Sequence, residues 1–201
     1  MSTCLHDVAG RFDTSLDKQV ILAALVDAIS LIGDRTIEQW KQQARYPKSL
    51  AVKTIQENLW FGPWYSPTAY VQRDDVLVMQ QHVVWAVQAM LRILCALNKT
   101  YYPSPEHKWM DFMIERFQYA PTALTKRLKR VFGSSLEDSW HLLKQLIDET
   151  ILLVEKHLPE VNTVKLFADH PEIDINWAKA RWKTKPPYTL MQQLSEHKFT
   201  D

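Results

Sequence analysis

Residues Thr68 to Asn98 read TAYVQRDDVLVMQQHVVWAVQAMLRILCALN, and the spacing of their apolar side chains decides the fold. Val76, Met79, Val83, Val87, Met90, Leu94 and Leu97 recur in steps of three and four, the repeat of one helix face. Leu77, Val84 and Leu91 widen that stripe to roughly half the circumference, more than one neighbouring helix could cover. The spacing predicts one helix over 68–98, roughly 45 Å long. It stands as the central post of a bundle.

Working outward, helices are expected on both sides. Asp17 to Leu31 carries Val20, Ala23, Ala24, Ala28 and Leu31 on one side and stops near Gly33. Asp34 suits the N-cap of a helix running to about Ala44, and Pro47 the first turn of another over 48–60. The loop Leu59-Trp60-Phe61-Gly62-Pro63-Trp64-Tyr65-Ser66-Pro67 is broken by glycine and proline and kept buried by its aromatics. Beyond the post, Tyr101-Tyr102-Pro103-Ser104-Pro105 forms a stiff turn, because two prolines fix backbone dihedrals and remove donors. Helical spacing resumes over 106–119 with Trp109, Phe112, Met113 and Phe117, and again from Pro121 to about Phe132 with Lys126, Arg127, Lys129 and Arg130 outward.

Ser134 with Glu137 reads as a capping box for a second long stripe: Leu136, Trp140, Leu143, Ile147, Thr150, Ile151, Val154 and Leu158. That helix is expected to pack antiparallel to the post. The fold class expected is all-α, an up-and-down bundle over 16–160. Residues 1–15 form a lead-in segment, and 161–201 hold a helix from Ile173 to Trp182 followed by an extended tail.

Composition narrows the function classes. The chain has 201 residues, 46% of them hydrophobic, enough for one sizeable core. A net charge of +1 gives no general pull toward nucleic acid or an anionic membrane. Cys4 and Cys95 stand far apart and the N-terminus lacks a basic stretch leading into an apolar run, so a reduced, cytoplasmic setting is expected. No segment reaches the apolar length of a membrane span. Four glycines leave no room for G-x-G-x-x-G, a Walker loop or G-x-S-x-G, and the seven histidines lack zinc spacing. Gly133-Ser134 and Glu172-Ile173-Asp174 imitate pieces of a nucleotidyl-transfer site but lie far apart, so no catalytic and no metal-binding residues are expected.

Projection around the central helix sets Asp74, Gln81, Trp85, Gln88 and Arg92 opposite the stripe. Asp75 and His82 lie at its edge, two turns apart, as a carboxylate and an imidazole able to orient a substrate.

One resemblance bears on function. Asn98-Lys99-Thr100-Tyr101-Tyr102-Pro103-Ser104-Pro105-Glu106-His107-Lys108-Trp109 resembles the "LNR-x-Y-[YF]-P-x-x-K-W" turn in the helical C-terminal region of nucleotidyltransferase-like proteins akin to the aminoglycoside nucleotidyltransferases. Arg73-Asp74-Asp75 is similar to their "R-x-D" helix entry, and Leu5-His6-Asp7 with Gly10-Arg11-Phe12 to the segment leaving their catalytic domain. Lys99 stands where arginine is usual, and the catalytic half is absent. The resemblance implies a non-catalytic domain forming one wall of an acceptor cleft. Asn98, Tyr101, Lys108 and Trp109 would line that cleft, with Asp74 or Asp75 facing it. It further implies a small-molecule acceptor and a catalytic domain, in cis or in trans, that alone carries magnesium and the nucleoside triphosphate. Two other classes fit a helical bundle: a protein-interaction module, with a homodimer as one form, and a HEPN-type ribonuclease. For the last, Arg73 and His82 are spaced too widely, and no histidine follows Arg92 within the helix.

Overall fold

In the computed structural model, residues 1–30, 34–61, 73–104 and 106–163 are described. Among them every regular element is helical: α1 (Ser2–Leu5), α2 (Leu16–Asp27), α3 (Asp34–Gln43), α4 (Lys48–Asn58), α5 (Val76–Leu97), α6 (Met110–Glu115), α7 (Leu124–Gly133) and α8 (Leu136–His157). The chain is all-α, as its periodicity predicts. No described helix is long and apolar enough to cross a membrane. The aromatic loop beyond Phe61 and the expected helix from Ile173 to Trp182 lie outside the described residues.

The post is α5, which spans the whole stripe but begins later than the helix expected over 68–98, whose residues 68–72 lie outside the described residues. It begins at Val76 because Asp74 holds a left-handed φ of 53°, and the Val76 N–H closes back on the Asp74 carbonyl at 2.8 Å. Its two halves differ in kind. From Ala86 to Leu97 nearly every side chain is buried, including Met90, Leu91, Ile93 and Leu94. Over the first turns, Val76, Val78, Val84 and Trp85 are exposed, and Leu77 is 87% exposed. Leu77 and Val84 therefore do not widen the buried stripe. The helix is covered all round near its C-terminus and one-sidedly near its start.

Packing around α5 follows from which ends meet. Tyr46, just before α4, sets its ring 4.8 Å from Tyr101, just after α5, so α4 runs back along the post. The last helix does not run antiparallel to it. Asn98 bonds Tyr119, the Tyr119 ring stacks on His157 at 4.0 Å, and Lys48 pairs with Glu160 at 2.7 Å. Both long helices thus bring their C-termini to one end of the bundle. The expectation fails because α6 and α7 intervene and reverse the chain twice. The antiparallel neighbour of α8 is α7, fastened by Arg127, whose two terminal nitrogens reach the Glu149 carboxylate at 2.7 and 2.8 Å.

Helix starts are set by local chemistry, one residue from where the sequence places it in one case. Ser135, not Ser134, caps α8: its Oγ accepts from the Asp138 N–H and donates to the Asp138 carboxylate. Glu137 and Asp138 in the first turn, with Lys156 and His157 in the last, match the helix dipole. Residues 1–15 are a structured part of the molecule. Beyond α1 a π-helical turn spans His6–Gly10, Leu5 and Val8 are buried against Leu22, Leu25 and Leu50, and Lys18 links Asp7 and Asp13 at 2.8 and 2.6 Å. Two apolar clusters result: a main one centred on α5 and α8, and a smaller one joining the N-terminal segment, α2 and Tyr101.

The contrast along α5 is measurable. Leu94→Ala should cost about 3 kcal/mol through the cavity it leaves, whereas Leu77→Ala should cost under about 0.5 kcal/mol. Urea unfolding of the two variants reads the difference, and equal losses would show that the first turns are covered too.

Candidate functional site

The turn that closes α5 is built from its cap outward. Asn98 is the C-cap, and its side chain does three things: Nδ2 donates to the Leu94 and Tyr119 carbonyls, each at 2.8 Å, and Oδ1 accepts from the Tyr119 N–H at 2.9 Å. Lys99 follows with φ of 53°, its N–H on the Ala96 carbonyl, while the Thr100 N–H reaches the Cys95 carbonyl at 2.8 Å. These two bonds are the Schellman pattern, in which the left-handed position is normally glycine. A lysine there costs roughly 1 kcal/mol of backbone strain.

Tyr101 and Tyr102 then turn inward and are buried. Neither hydroxyl has a hydrogen-bond partner among the described residues. Burial pushes the Tyr101 phenol up to about 12, and raises that of Tyr102 as well. Both stay neutral at physiological pH and serve as packing groups. Buried Ser104 accepts from the Glu106 N–H at 3.3 Å and, through its carbonyl, from the His107 N–H at 3.2 Å. His107 turns its ring edge toward Tyr102, and burial lowers its pKa.

Past this scaffold the chain turns outward. Lys108 is exposed and pairs with Glu106 at 2.6 Å; the pairing holds the Glu106 carboxyl below its usual range and raises the ammonium. Trp109 holds φ of 64° as the residue before α6, and its indole is 76% exposed. One turn on, Phe112 is exposed beneath the Arg116 guanidinium, 5.4 Å from the ring centroid. Lys108, Trp109, Phe112 and Arg116 form a surface edge of aromatic faces and cations. Of the six non-glycine residues with positive φ among the described residues, Lys99, His107 and Trp109 belong to this one turn. Strain gathered in one place keeps an exposed side chain aimed, because the backbone beneath it has few alternatives.

The seven residues expected at the site do not form one cleft. Asp74 and Asp75 precede α5, which separates them from Asn98 by roughly 33 Å of helix. Asp75 accepts from the Arg73 Nε at 2.8 Å there. His82 is buried, stacks on Trp85 at 5.7 Å, and lies roughly 24 Å along the helix from Asn98. The two-turn pairing of Asp75 with His82 fails because the helix starts only at Val76, leaving Asp75 off the helical face. Asn98 and Tyr101 are scaffold, whereas Lys108 and Trp109 face outward. The helix expected over 106–119, with Phe112 in its apolar spacing, is only the six residues of α6, and Phe112 is exposed. The positive φ at Trp109, invisible in the sequence, delays its start and rotates that face outward. No three His, Cys, Asp or Glu side chains gather as a metal-ligand set among the described residues.

Residues 14–110 match the model of a family described as a domain of unknown function, DUF4037. That match runs from the lead into α2 through the whole turn and ends one residue past Trp109. The chain matches no curated protein and no solved structure.

Two outcomes follow from the turn and its histidines. Asn98→Ala should destabilise by about 2 to 3 kcal/mol, since it removes three hydrogen bonds and strands the Tyr119 backbone groups. A loss below about 0.5 kcal/mol in chemical denaturation would show that the cap is dispensable. Burial holds His82 and His107 below the ordinary 6.5. Between their folded values and 6.5 the unfolded chain binds more protons, so stability falls as pH drops below 6.5. The urea midpoint should be lower at pH about 5.5 than at about 7.5, and less so in His82→Gln.

Proposed function

We propose that this chain is a non-catalytic, acceptor-side helical domain of a nucleotidyltransferase-like protein, its magnesium and nucleoside triphosphate held by a separate catalytic domain. One observation carries the reading. The segment that resembles the family turn is divided into a buried scaffold, Asn98 with Tyr101 and Tyr102, and an exposed pair, Lys108 and Trp109, held by a strained backbone. Trp109 offers a flat apolar face on which a sugar or planar ring can stack, a contact commonly worth about 1 to 3 kcal/mol for nucleic-acid bases. Lys108 supplies donors beside it, and Glu106 a carboxylate that can accept from an amino or hydroxyl group. Asp74, Asp75 and His82 lie too far along α5 to touch the same small acceptor. The acceptor wall on this reading is the 106–116 edge.

The test uses the intact chain. Titration with an aminoglycoside panel and with nucleosides, followed by the indole N–H resonance of Trp109, should show saturable shifts. Trp109→Ala should weaken binding by about tenfold, equivalent to 1.4 kcal/mol. A Trp109 resonance unmoved by every member of both panels would sink the proposal. Chain incubated with ATP, magnesium and aminoglycosides should transfer no nucleotide, and turnover would refute the non-catalytic part.

A second reading is favoured by the first turns of α5, where Val76, Leu77, Val78, Val84 and Trp85 are all exposed. An apolar stripe of that kind suits a protein-binding module, here in its homodimeric form. Sedimentation across a concentration series should then show dimers that Leu77→Glu dissociates; a monomer at every concentration removes this form.

A further inference from the structure

The chemistry not absorbed by the turn lies along α7. Leu124 and Val131 bury one side of this helix, and its four basic residues have different fates. Arg127 is taken up by the two-pronged pairing with Glu149. Lys129 pairs with Asp111 at 3.0 Å, both side chains being exposed, a contact worth little in water. Lys126 and Arg130 have no ion pair among the described residues, and they sit one helical turn apart, where like charges repel each other.

Those two cations and Lys129 line a groove of about 840 Å³ between α6 and α7. Its floor is apolar, made by Ile114, Ala120, Pro121 and Leu124, and Thr125 and Ser134 add hydroxyls. Among the described residues Glu115 is the one carboxylate on its walls. The volume lies within the ordinary range for small-molecule sites, about 300 to 1,000 Å³.

We propose that this groove binds an organic phosphate, a phosphomonoester carrying an apolar or planar group. A phosphomonoester carries close to two negative charges at neutral pH, matching the two uncommitted cations. The guanidinium fork of Arg130 suits two phosphate oxygens at once, and Lys126 adds a mobile point charge. The apolar floor beside the cations is of no use to a bare ion and fits the organic part of the ligand. Its cations, Lys126, Lys129 and Arg130, all lie on α7 and outside the 106–116 acceptor edge, so phosphate binding here does not depend on the nucleotidyltransferase reading.

The experiment titrates the intact chain by calorimetry with adenosine monophosphate, inorganic phosphate, adenosine and a short RNA. Adenosine monophosphate should bind saturably, and adenosine and inorganic phosphate each about tenfold more weakly, since each lacks half of the match. Lys126→Gln combined with Arg130→Gln should weaken adenosine monophosphate by about tenfold or more, with the urea midpoint unchanged because both side chains are exposed. Lys156→Gln, at the far end of α8, should leave binding as it was, and Glu115→Gln should tighten it at low salt. Adenosine binding as tightly as its phosphate, or a double variant as good as the parent, overturns the proposal. Inorganic phosphate equal to the nucleotide overturns the organic assignment, and RNA binding without nucleotide binding assigns the groove to a polymer instead.

Discussion

The second half of α5 is surrounded. From Ala86 to Leu97 the helix is covered on nearly every side, and the other elements are placed by the need to cover it. A helix apolar around its whole girth has no stable position at a surface, so α4, α6, α7 and α8 must contribute walls. Alanines at 86, 89 and 96 let neighbours approach closely, while Met90, Leu91, Ile93 and Leu94 supply the volume that fills the space between them. Core residues of this sort are packed to crystal-like density, which is why single truncations there are costly.

That constraint positions the candidate site as well. A surrounded helix cannot simply fray into solvent at its C-terminus; its last carbonyls need partners, which the Asn98 side chain and the left-handed Lys99 provide. The cap leads straight into two buried tyrosines, and only after them can the chain emerge, at Lys108 and Trp109. The exposed edge inherits its rigidity from the core behind it. Among the described residues the aromatic and cationic groups of α6 and the groove of α7 follow one another along a single stretch of chain, on two neighbouring helices.

How much of this could be read beforehand depended on whether the signal was local. The fold class, the identity of the post, the stripe of α8 and the punctuation at Pro47 and Gly133 were all legible, because each rests on residue spacing or on one residue's backbone preference. The N-terminal segment was not, since its burial depends on Leu5 and Val8 meeting Leu22 and Leu50, contacts with no periodic signature. The direction of α8 also escaped, because two short intervening helices can reverse a chain or not according to turns whose dihedrals side chains do not announce. At the site the same rule holds. Asn98 could be recognised as a helix-ending residue, but the left-handed backbone at Asp74 and Trp109 could not. Those two residues decide that Asp75 falls off the helix and that Phe112 faces water.

Tyr46 touches both apolar clusters: its ring lies against Tyr101 of the smaller one, and it packs on the main core as well. A single aromatic shared between two cores removes the seam along which they would otherwise separate. Opening the N-terminal segment uncovers part of the central post, and loosening the post withdraws support from the N-terminal segment. The two clusters are thereby joined through one side chain, so truncating Tyr46 removes packing from both at once.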